Sequence, residues 1–462
     1  MSLNKRIFAL DEFINQALYD SKDGYYMKSN PFGEKGDYIT SSNVSILFSE
    51  MLSVWTILFW QNLKCPKKIN LIELGSGNGQ MIYDMINSFK SFPKFYKSCN
   101  FIILEKSPYL KKIQKKKLNK FKIKWIKNLN EIKKGNNIFI ANEFFDAIPI
   151  KQFFKIKNKW IERFIKLDKK NNKSFVNVDC DIKKIEKKIG FKLSNNQKII
   201  EYSPLTLKYL KSISNKIYSK KGALLIIDYG YLESRMKDTL MAIRKHKISE
   251  VLEEFGNSDI TYKLNFELLK KITNILKLKC QGVTTQRNFL TNLGIQERAE
   301  ILSRNLPFSK KADIYYRLKR LIDKSQMGDL FKVMLITGKK INFRQYAILN
   351  AYILKSIIKK IVAKNITIKW PNDLLYKKKH KICGILQEVV SFKSYDFLII
   401  GIGLNTNVSP KNNGLKAVSL KSIISKKIDN TKITINIKKK YKVFLDNIEK
   451  LSYINIKKRY CK

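Results

Sequence analysis

Residues 71–80 read "LIELGSGNGQ": an apolar run carrying one acid, Glu73, leads straight into glycines at alternate positions, Gly75, Gly77 and Gly79. A dinucleotide-binding turn spaces its glycines G-x-G-x-x-G, so that the third lets helix and strand approach while a pyrophosphate meets the helix N-terminus. Here Gln80 follows Gly79 and the spacing is G-x-G-x-G, which suits a ligand without a pyrophosphate. Bare glycines admit the amino-acid tail of S-adenosylmethionine beside the backbone, and a carboxylate such as Glu73 can meet its ammonium group. The next apolar run, "FIILEKSP" (101–108), ends on Glu105. Ligands of open α/β sheets bind outside the carboxyl ends of the strands, so Glu105 is placed to accept hydrogen bonds from both hydroxyls of a ribose.

Working outward, "INLIEL" (69–74), "NFIILE" (100–105), "NIFIAN" (137–142) and "ALLIIDYG" (223–230) are short continuous apolar runs, each followed by turn residues and a helical pattern. Strands buried on both faces read this way, and their alternation with helices predicts a parallel α/β sheet. Ahead of it lie a helix, the turn-rich stretch "DGYYMKSNPFGEKGDYITSS" (23–42) and "VSILFSEMLSVWTILFWQNL" (44–63). Glu50 and helical spacing favour a buried amphipathic helix over a membrane span for the last of these, since a span needs ~18 uncharged apolar residues. A second weave starts near 342: a helix, "FRQYAILNAYILKSIIKKIVAK" (343–364), then the strand-like "ITIKW", "KICGILQEVV" and "DFLIIGIGLNTNV". The segment "MGDLFKVMLITGKK" (327–340) lies at the join, so the expected domains are 1–340 and 341–462.

A formal charge of +53 would ordinarily suggest a nucleic-acid or anionic-membrane partner. Yet 80 of the 91 basic residues are lysines, spread from end to end among many Asn and Ile, the drift expected of an AT-rich genome; specific nucleic-acid binding is not expected, and "KKIQKKKLNKFKIK" (111–124) reads as a solvated face. The six cysteines show no C-x-x-C spacing, and only His246 and His380 exist, so neither a disulfide scaffold nor a His-rich metal centre is expected. His246, a lone histidine, is left out of the catalytic set. The N-terminus carries acids early and has no long apolar core, unlike a secretory signal or an Arg-rich transit peptide.

The ordered stretches "GYYMKSNPFGEKGDYITSS", "IELGSGNGQMIYDM", "ILEKSPYLKKIQ", "ANEFFDAIPIKQF", "WIERFI", "IIDYG", "DTLMAIRKH", "GNSDITYKLNF", "NFLTNLGIQERAEIL" and "MGDLFKV" resemble the MidA family. These are S-adenosylmethionine-dependent methyltransferases related to the mitochondrial complex I assembly factor. Residues 7–338 carry the resemblance. Ser76 stands where the family usually has proline, Asn78 and Gln80 replace its Arg and Thr, and Arg287 replaces a glycine. The resemblance implies a class I, Rossmann-like sheet with a helical N-terminal extension, and arginine methylation on a complex I subunit. A guanidinium, with its pKa above ~12, is a poor nucleophile, so carboxylates should orient it and draw off charge or a proton. "ANEFFDAIP" supplies them at a strand end: Glu143 as the principal acceptor-orienting group, Asp146 as a second contact or a turn-former, and Asn142 on the cofactor side. Gly36, Asp37 and Tyr38 are expected to line the site for substrate, while Asp228 and Tyr229 end a further strand and admit a structural reading. The expected location is a bacterial cytoplasm, with the mitochondrial matrix as alternative.

"IKWPNDLLYKKKHKICGILQEVV" (368–390) and "LIIGIGLNTNV" (398–408) resemble the latter part of the biotin protein ligase catalytic domain, a partial α+β segment. That resemblance implies Lys369 and Lys381 on biotin and its adenylate, backbone contacts near Gly384, Asn372 and Asp373 on the adenylate side, and Gly401, Gly403 and Asn405 from G-I-G-x-N. The family's earlier Gly/Arg-rich closing loop has no counterpart here, so biotin and ATP chemistry is expected to be lost. Two other readings stand beside a methyltransferase with an inactive tail: an assembly scaffold with a degenerate cofactor site, and a bifunctional methyltransferase and ligase. A nucleic-acid methyltransferase lacks support, because "NEFF" stands where a D/N-P-P-Y-type tetrapeptide would hold a planar amine.

Overall fold

The computed structural model describes residues 7–28, 31, 40–133, 135–217, 222–245, 247–338, 346–362, 365–369, 373–392, 395–410 and 416–445. Gly36, Asp37, Tyr38, His246 and Asn372 lie outside the described residues. The chain divides into two compact units, Met1–Asn342 and Phe343–Lys462.

The first unit is built on strands Ile69–Leu74 (β1), Cys99–Leu104 (β2), Ile123–Ile126 (β3), Asn137–Asn142 (β4), Ala223–Tyr231 (β5), Lys279–Thr285 (β6) and Phe331–Thr337 (β7). They lie in the order β3-β2-β1-β4-β5-β7-β6. From β3 to β5 every pairing is parallel, while β7 runs antiparallel to both β5 and β6. This is the class I methyltransferase sheet. The strand order reverses direction between β1 and β4, and there an open sheet leaves a crevice for a ligand at its carboxyl edge. Every residue of β4 is buried, as are all but one of β1, which is why both read as unbroken apolar runs. The segment placed at the join is instead integral to the sheet: Met327–Leu330 is a short helix and β7 an inner strand, its apolar side chains buried on both faces.

A second, antiparallel sheet fills the chain between β4 and β5. Lys151–Ile156 and Lys159–Leu167 form a hairpin across Lys157 and Asn158, both with positive φ (44° and 65°). A two-residue turn with both centres left-handed matches the twist of the flanking strands. Ile7–Ala9 pairs with Lys159–Leu167, so the N-terminal extension contributes a strand as well as helices. The helix Ile46–Asn62 was expected to be amphipathic; its buried residues instead lie all round it, from Leu47 and Phe48 to Phe59 and Trp60. Its acid Glu50 is met by Nε and Nη2 of Arg298, each at 2.7 Å. Among the described residues no helix is long and apolar enough to cross a membrane.

The second unit holds the helix Tyr346–Val362, a sequential antiparallel sheet of Ile366–Lys369, Asp373–Tyr376, His380–Phe392 and Tyr395–Leu404, and the helices Leu420–Ile424 and Asn430–Leu445. Ile353, Leu354, Ile358, Leu374, Ile382 and Leu420 are central to its own apolar core.

Candidate active site

The glycine loop joins β1 to the helix Gln80–Phe89. Gly75, Gly77 and Gly79 all take left-handed conformations (φ 66°, 51° and 78°), which cost a side-chain-bearing residue about 1–2 kcal/mol each. Gly75 has a second constraint, since a Cβ there would stand 2.8 Å from Cδ2 of Phe144. The Gly75 N–H donates to Leu104 O (3.1 Å) and the Gly79 N–H to Ser76 O (2.7 Å), tying the loop to β2 and to itself. The residues that depart from the family pattern are used locally. Ser76 Oγ donates to Glu73 Oε2 at 2.6 Å, and Asn78 accepts from the Gln80 N–H and donates to Asn43 (both 3.1 Å).

Glu105, just past the end of β2, is buried. Its Oε1 accepts the Ser107 N–H (2.9 Å) and its Oε2 accepts Nε2 of Gln114 (2.8 Å). Ser107 caps the helix Pro108–Lys117 and donates to the carbonyl of Tyr26 at 2.7 Å, so the N-terminal segment reaches the same corner.

At the end of β4, Glu143 sits at φ 51° without being glycine, its N–H donating to Ile227 O of β5 (2.9 Å). Strained backbone of this kind concentrates at functional sites. The Glu143 carboxyl oxygen Oε1 accepts the Ser41 N–H (3.0 Å) and Nδ2 of Asn142 (3.2 Å). Asn142 itself keeps a buried amide oxygen with no hydrogen-bond partner. Asp146 accepts the Thr261 hydroxyl at 3.0 Å. Behind it, Asp228 accepts the N–H groups of Phe145 (3.0 Å), Asp146 (3.3 Å) and Tyr229 (2.9 Å). Asp228 thus acts as the anchor of the β4 turn, and Asp146 presents its carboxyl beside it. Tyr26 donates to Asp259 at 2.7 Å and Tyr19 to Ala147 O at 3.0 Å. The sequence reading missed Ser41, Gln114, Asp259 and Thr261 as site residues. Asp259 and Thr261 lie in "GNSDITYKLNF", which carried the resemblance without an assigned role, and Ser41 in "GDYITSS", where only Gly36, Asp37 and Tyr38 had been assigned one.

The carboxyl edge of the sheet therefore gathers Glu73, Glu105, Asp146, Asp228 and Asp259, all buried, and the half-buried Glu143. Burial pushes Glu73 up to about 8 against the hydrogen bond from Ser76. Glu143 also rises to about 8, through burial, with Asp146 and Asp259 adding to the push against the Ser41 N–H. Glu105 is raised by burial despite its bonds from Ser107 and Gln114. Asp146 is pushed up to about 6 by burial, and Asp228 stands well above the usual carboxylate range because burial and the neighbouring Asp146 both oppose its charge. Acids held this far above their ordinary values favour a cationic ligand, which would restore their charged forms. S-adenosylmethionine fits: it brings a sulfonium and an ammonium, the glycines leave its tail room, and Asn142 has an unsatisfied acceptor within the crevice.

A family model described as an S-adenosyl-L-methionine-dependent methyltransferase matches residues 51–284, and the chain belongs to that family. It is an enzyme with S-adenosylmethionine as cofactor. The chain is 30% identical over 362 residues to the mitochondrial protein arginine methyltransferase NDUFAF7 of Xenopus tropicalis, covering 70% of this chain and 80% of that protein. Its human counterpart is 27% identical over 359 residues, covering 69% and 78%. The crystal structure of a Burkholderia thailandensis protein bound to S-adenosyl-homocysteine shares the fold, with TM-score 0.63 and 19% identity over 74% of this chain and 90% of that one. A biotin/lipoate A/B protein ligase family model matches residues 330–405; the first residues of that match belong to β7 of the methyltransferase sheet.

In the second unit, Asp373 faces Gly384 across the sheet and Gly384 faces Gly403, while Gly401 pairs with Leu386. Lys381 Nζ lies 2.8 Å from Asp373 Oδ1, and a Cβ on Gly384 would come within 3.2 Å of the Lys381 side chain. Asn405 donates its amide to the carbonyls of Lys381 (3.2 Å) and Val418 (3.4 Å). Lys369 ends its strand with an exposed side chain.

Proposed function

We propose that the first unit methylates an arginine guanidinium in a protein client, and that the client is a subunit of respiratory complex I. The observation that carries this reading is the set of buried and half-buried carboxylates at the ends of β1, β2, β4 and β5, a surface made for cations. Glu73 would meet the cofactor ammonium, Glu105 the ribose hydroxyls, and Asn142 the crevice wall, with Gly75, Gly77 and Gly79 leaving space for the tail. When bound, S-adenosylmethionine supplies an electrophilic methyl group on sulfur. Glu143 orients the guanidinium, its carboxylate fixed by Ser41 and Asn142, and receives the proton that the nitrogen loses. Asp146 is the second contact on that cation, and Gly36, Asp37 and Tyr38 belong to the client side. Arginine as acceptor rests on the names of the relatives and on the carboxylate-rich strand end; complex I rests on the MidA resemblance. The word mitochondrial in those relatives' names supports the matrix over a bacterial cytoplasm.

The second unit we read as a ligase-derived segment without ligase activity of its own. Lys381 is engaged by Asp373, and Asn405 serves the backbone; neither is held ready for biotin or ATP.

The test is calorimetric titration of the full chain with S-adenosylmethionine, repeated on Glu105→Ala, followed by mass spectrometry of complex I subunits incubated with both. Binding lost in the variant and a methylated arginine made only by the wild type support the reading. No binding by folded wild type sinks it and leaves the scaffold in front. Pyrophosphate exchange with biotin and ATP is expected to show no turnover; turnover would overturn the reading of the tail.

A further inference from the structure

We propose that Gln114 is a positioning residue for cofactor binding: its amide fixes the plane of the Glu105 carboxylate and, with the same group, the path of the glycine loop. The inference rests on the methyl-donor reading of the first unit.

Gln114 lies on the helix Pro108–Lys117, whose sequence "PYLKKIQKKK" is otherwise dominated by lysine, yet its side chain is completely buried. Its Nε2 donates to Gly77 O and to Glu105 Oε2, each at 2.8 Å, and its Oε1 accepts Nε1 of Trp125 on β3 at 3.1 Å. These contacts are mutually consistent in one orientation only. An indole N–H donates and never accepts, so the amide oxygen must face Trp125; the NH2 is then left for the two acceptors on the other side. Trp125 therefore sets the amide, and the amide sets two groups that a ligand would touch.

The consequence falls on Glu105. Gln114 holds Oε2 while the Ser107 N–H holds Oε1 at 2.9 Å, so the carboxylate can neither rotate nor swing. A carboxylate accepts about four hydrogen bonds; with Ser107, Gln114 and the Lys106 N–H already on it, Glu105 keeps acceptor capacity for a ribose hydroxyl in a fixed direction. At the other end, the Gly77 carbonyl is drawn towards the helix, which fits the left-handed backbone there (φ 51°). Gly79 is fixed by its left-handed backbone (φ 78°); an added Cβ would meet Cγ of Gln114 and Cδ1 of Leu118 at 3.4 Å, ordinary van der Waals contact.

A buried glutamine that merely satisfies its surroundings would affect all ligands alike. A positioning role predicts a selective loss. The measurement is calorimetric affinity for S-adenosylhomocysteine and its 2′-deoxy analogue, on wild type, Gln114→Met, Glu105→Ala and the double variant. Wild type should prefer the full ribose by tenfold or more. Gln114→Met should keep measurable binding with the preference reduced to about twofold or less, and the double variant should discriminate no worse than Glu105→Ala. Equal weakening towards both ligands, with the preference intact, overturns the proposal. Should Gln114→Met fail to fold, Trp125→Phe decides: it frees the amide to flip, so the preference should fall several-fold, and an unchanged preference is refuting. Wild type that binds neither ligand refutes the methyl-donor reading itself, an outcome distinct from retained preference.

Discussion

Raising the pH from 6 to 8 should strengthen binding of S-adenosylhomocysteine, and the size of the effect follows from Glu73. In the free protein burial holds this acid up to about 8 against an ordinary value of 4.5. An ammonium group against it requires the carboxylate form. If the complex returns Glu73 to its ordinary value, affinity falls tenfold per pH unit below about 8. Relative to the alkaline plateau, binding should be about tenfold weaker at pH 7 and about a hundredfold weaker at pH 6, the latter worth roughly 3 kcal/mol. The same linkage requires close to one proton to leave the protein per ligand bound at pH 7. Calorimetry in two buffers of different ionisation enthalpy reads that proton directly. In Glu73→Gln, which mimics the neutral acid, slope and proton release should both vanish. Affinity flat within twofold from pH 6 to 8, or a slope that survives in Glu73→Gln, would refute the pairing of Glu73 with the ammonium.

Three further outcomes are expected. Glu143→Gln should cut methyl transfer by about 10²–10⁴-fold while leaving S-adenosylhomocysteine affinity within about threefold; equal loss of both would place Glu143 in the cofactor subsite, and single-turnover assays beside calorimetry distinguish the two. The ligand-free protein should lose stability as pH rises from about 4.5 to 8, because the folded state keeps protons on Glu73 and Glu143 that the unfolded chain releases; urea midpoints that rise over this window would contradict the buried-acid account. Arg298→Met should cost about 1 kcal/mol in urea denaturation, modest because the guanidinium is about a third exposed, and a loss several times larger would mean that the Glu50 pair is better shielded than its exposure implies.

Four of the seven strands on the main path of the sheet were legible because burial on both faces forces continuous apolar sequence: β1, β2, β4 and β5 are the runs first read as strands. The other three escaped for separate reasons. β3 lies at an edge, and its "IKWI" sits among lysines that make the region read as solvated surface. β6, "KCQGVTT", is only half-buried at the other edge and carries a glycine at an irregular register. β7 is apolar enough, but it runs antiparallel and no helix follows it among the described residues of its unit, so that it lies at the join between the two weaves. Among the candidate site residues, Glu73, Glu105 and Glu143 were visible because acids within or directly after apolar runs are conspicuous. Gln114 was not: its burial comes from Gly77, Glu105 and Trp125, three partners brought together only by the fold. Asp146 was read as contact or turn-former, and neighbouring Asp228 is what anchors the turn.

The position of β7 also governs how the first unit can be assembled and cut. β5 pairs with β7 across roughly a hundred intervening residues, and β6 reaches the sheet only through β7. As the chain is synthesised, β5 therefore waits with one open edge until residue 337 has emerged, an interval in which a foreign strand could pair with it. The ligase-family match begins at 330, so trimming the chain at that point, the obvious way to remove the tail, would also take out the strand that joins β6 to the rest. Trimming after residue 342 keeps the sheet whole, and whatever follows that position gives the last strand the length of chain it needs to leave the ribosome and close the edge.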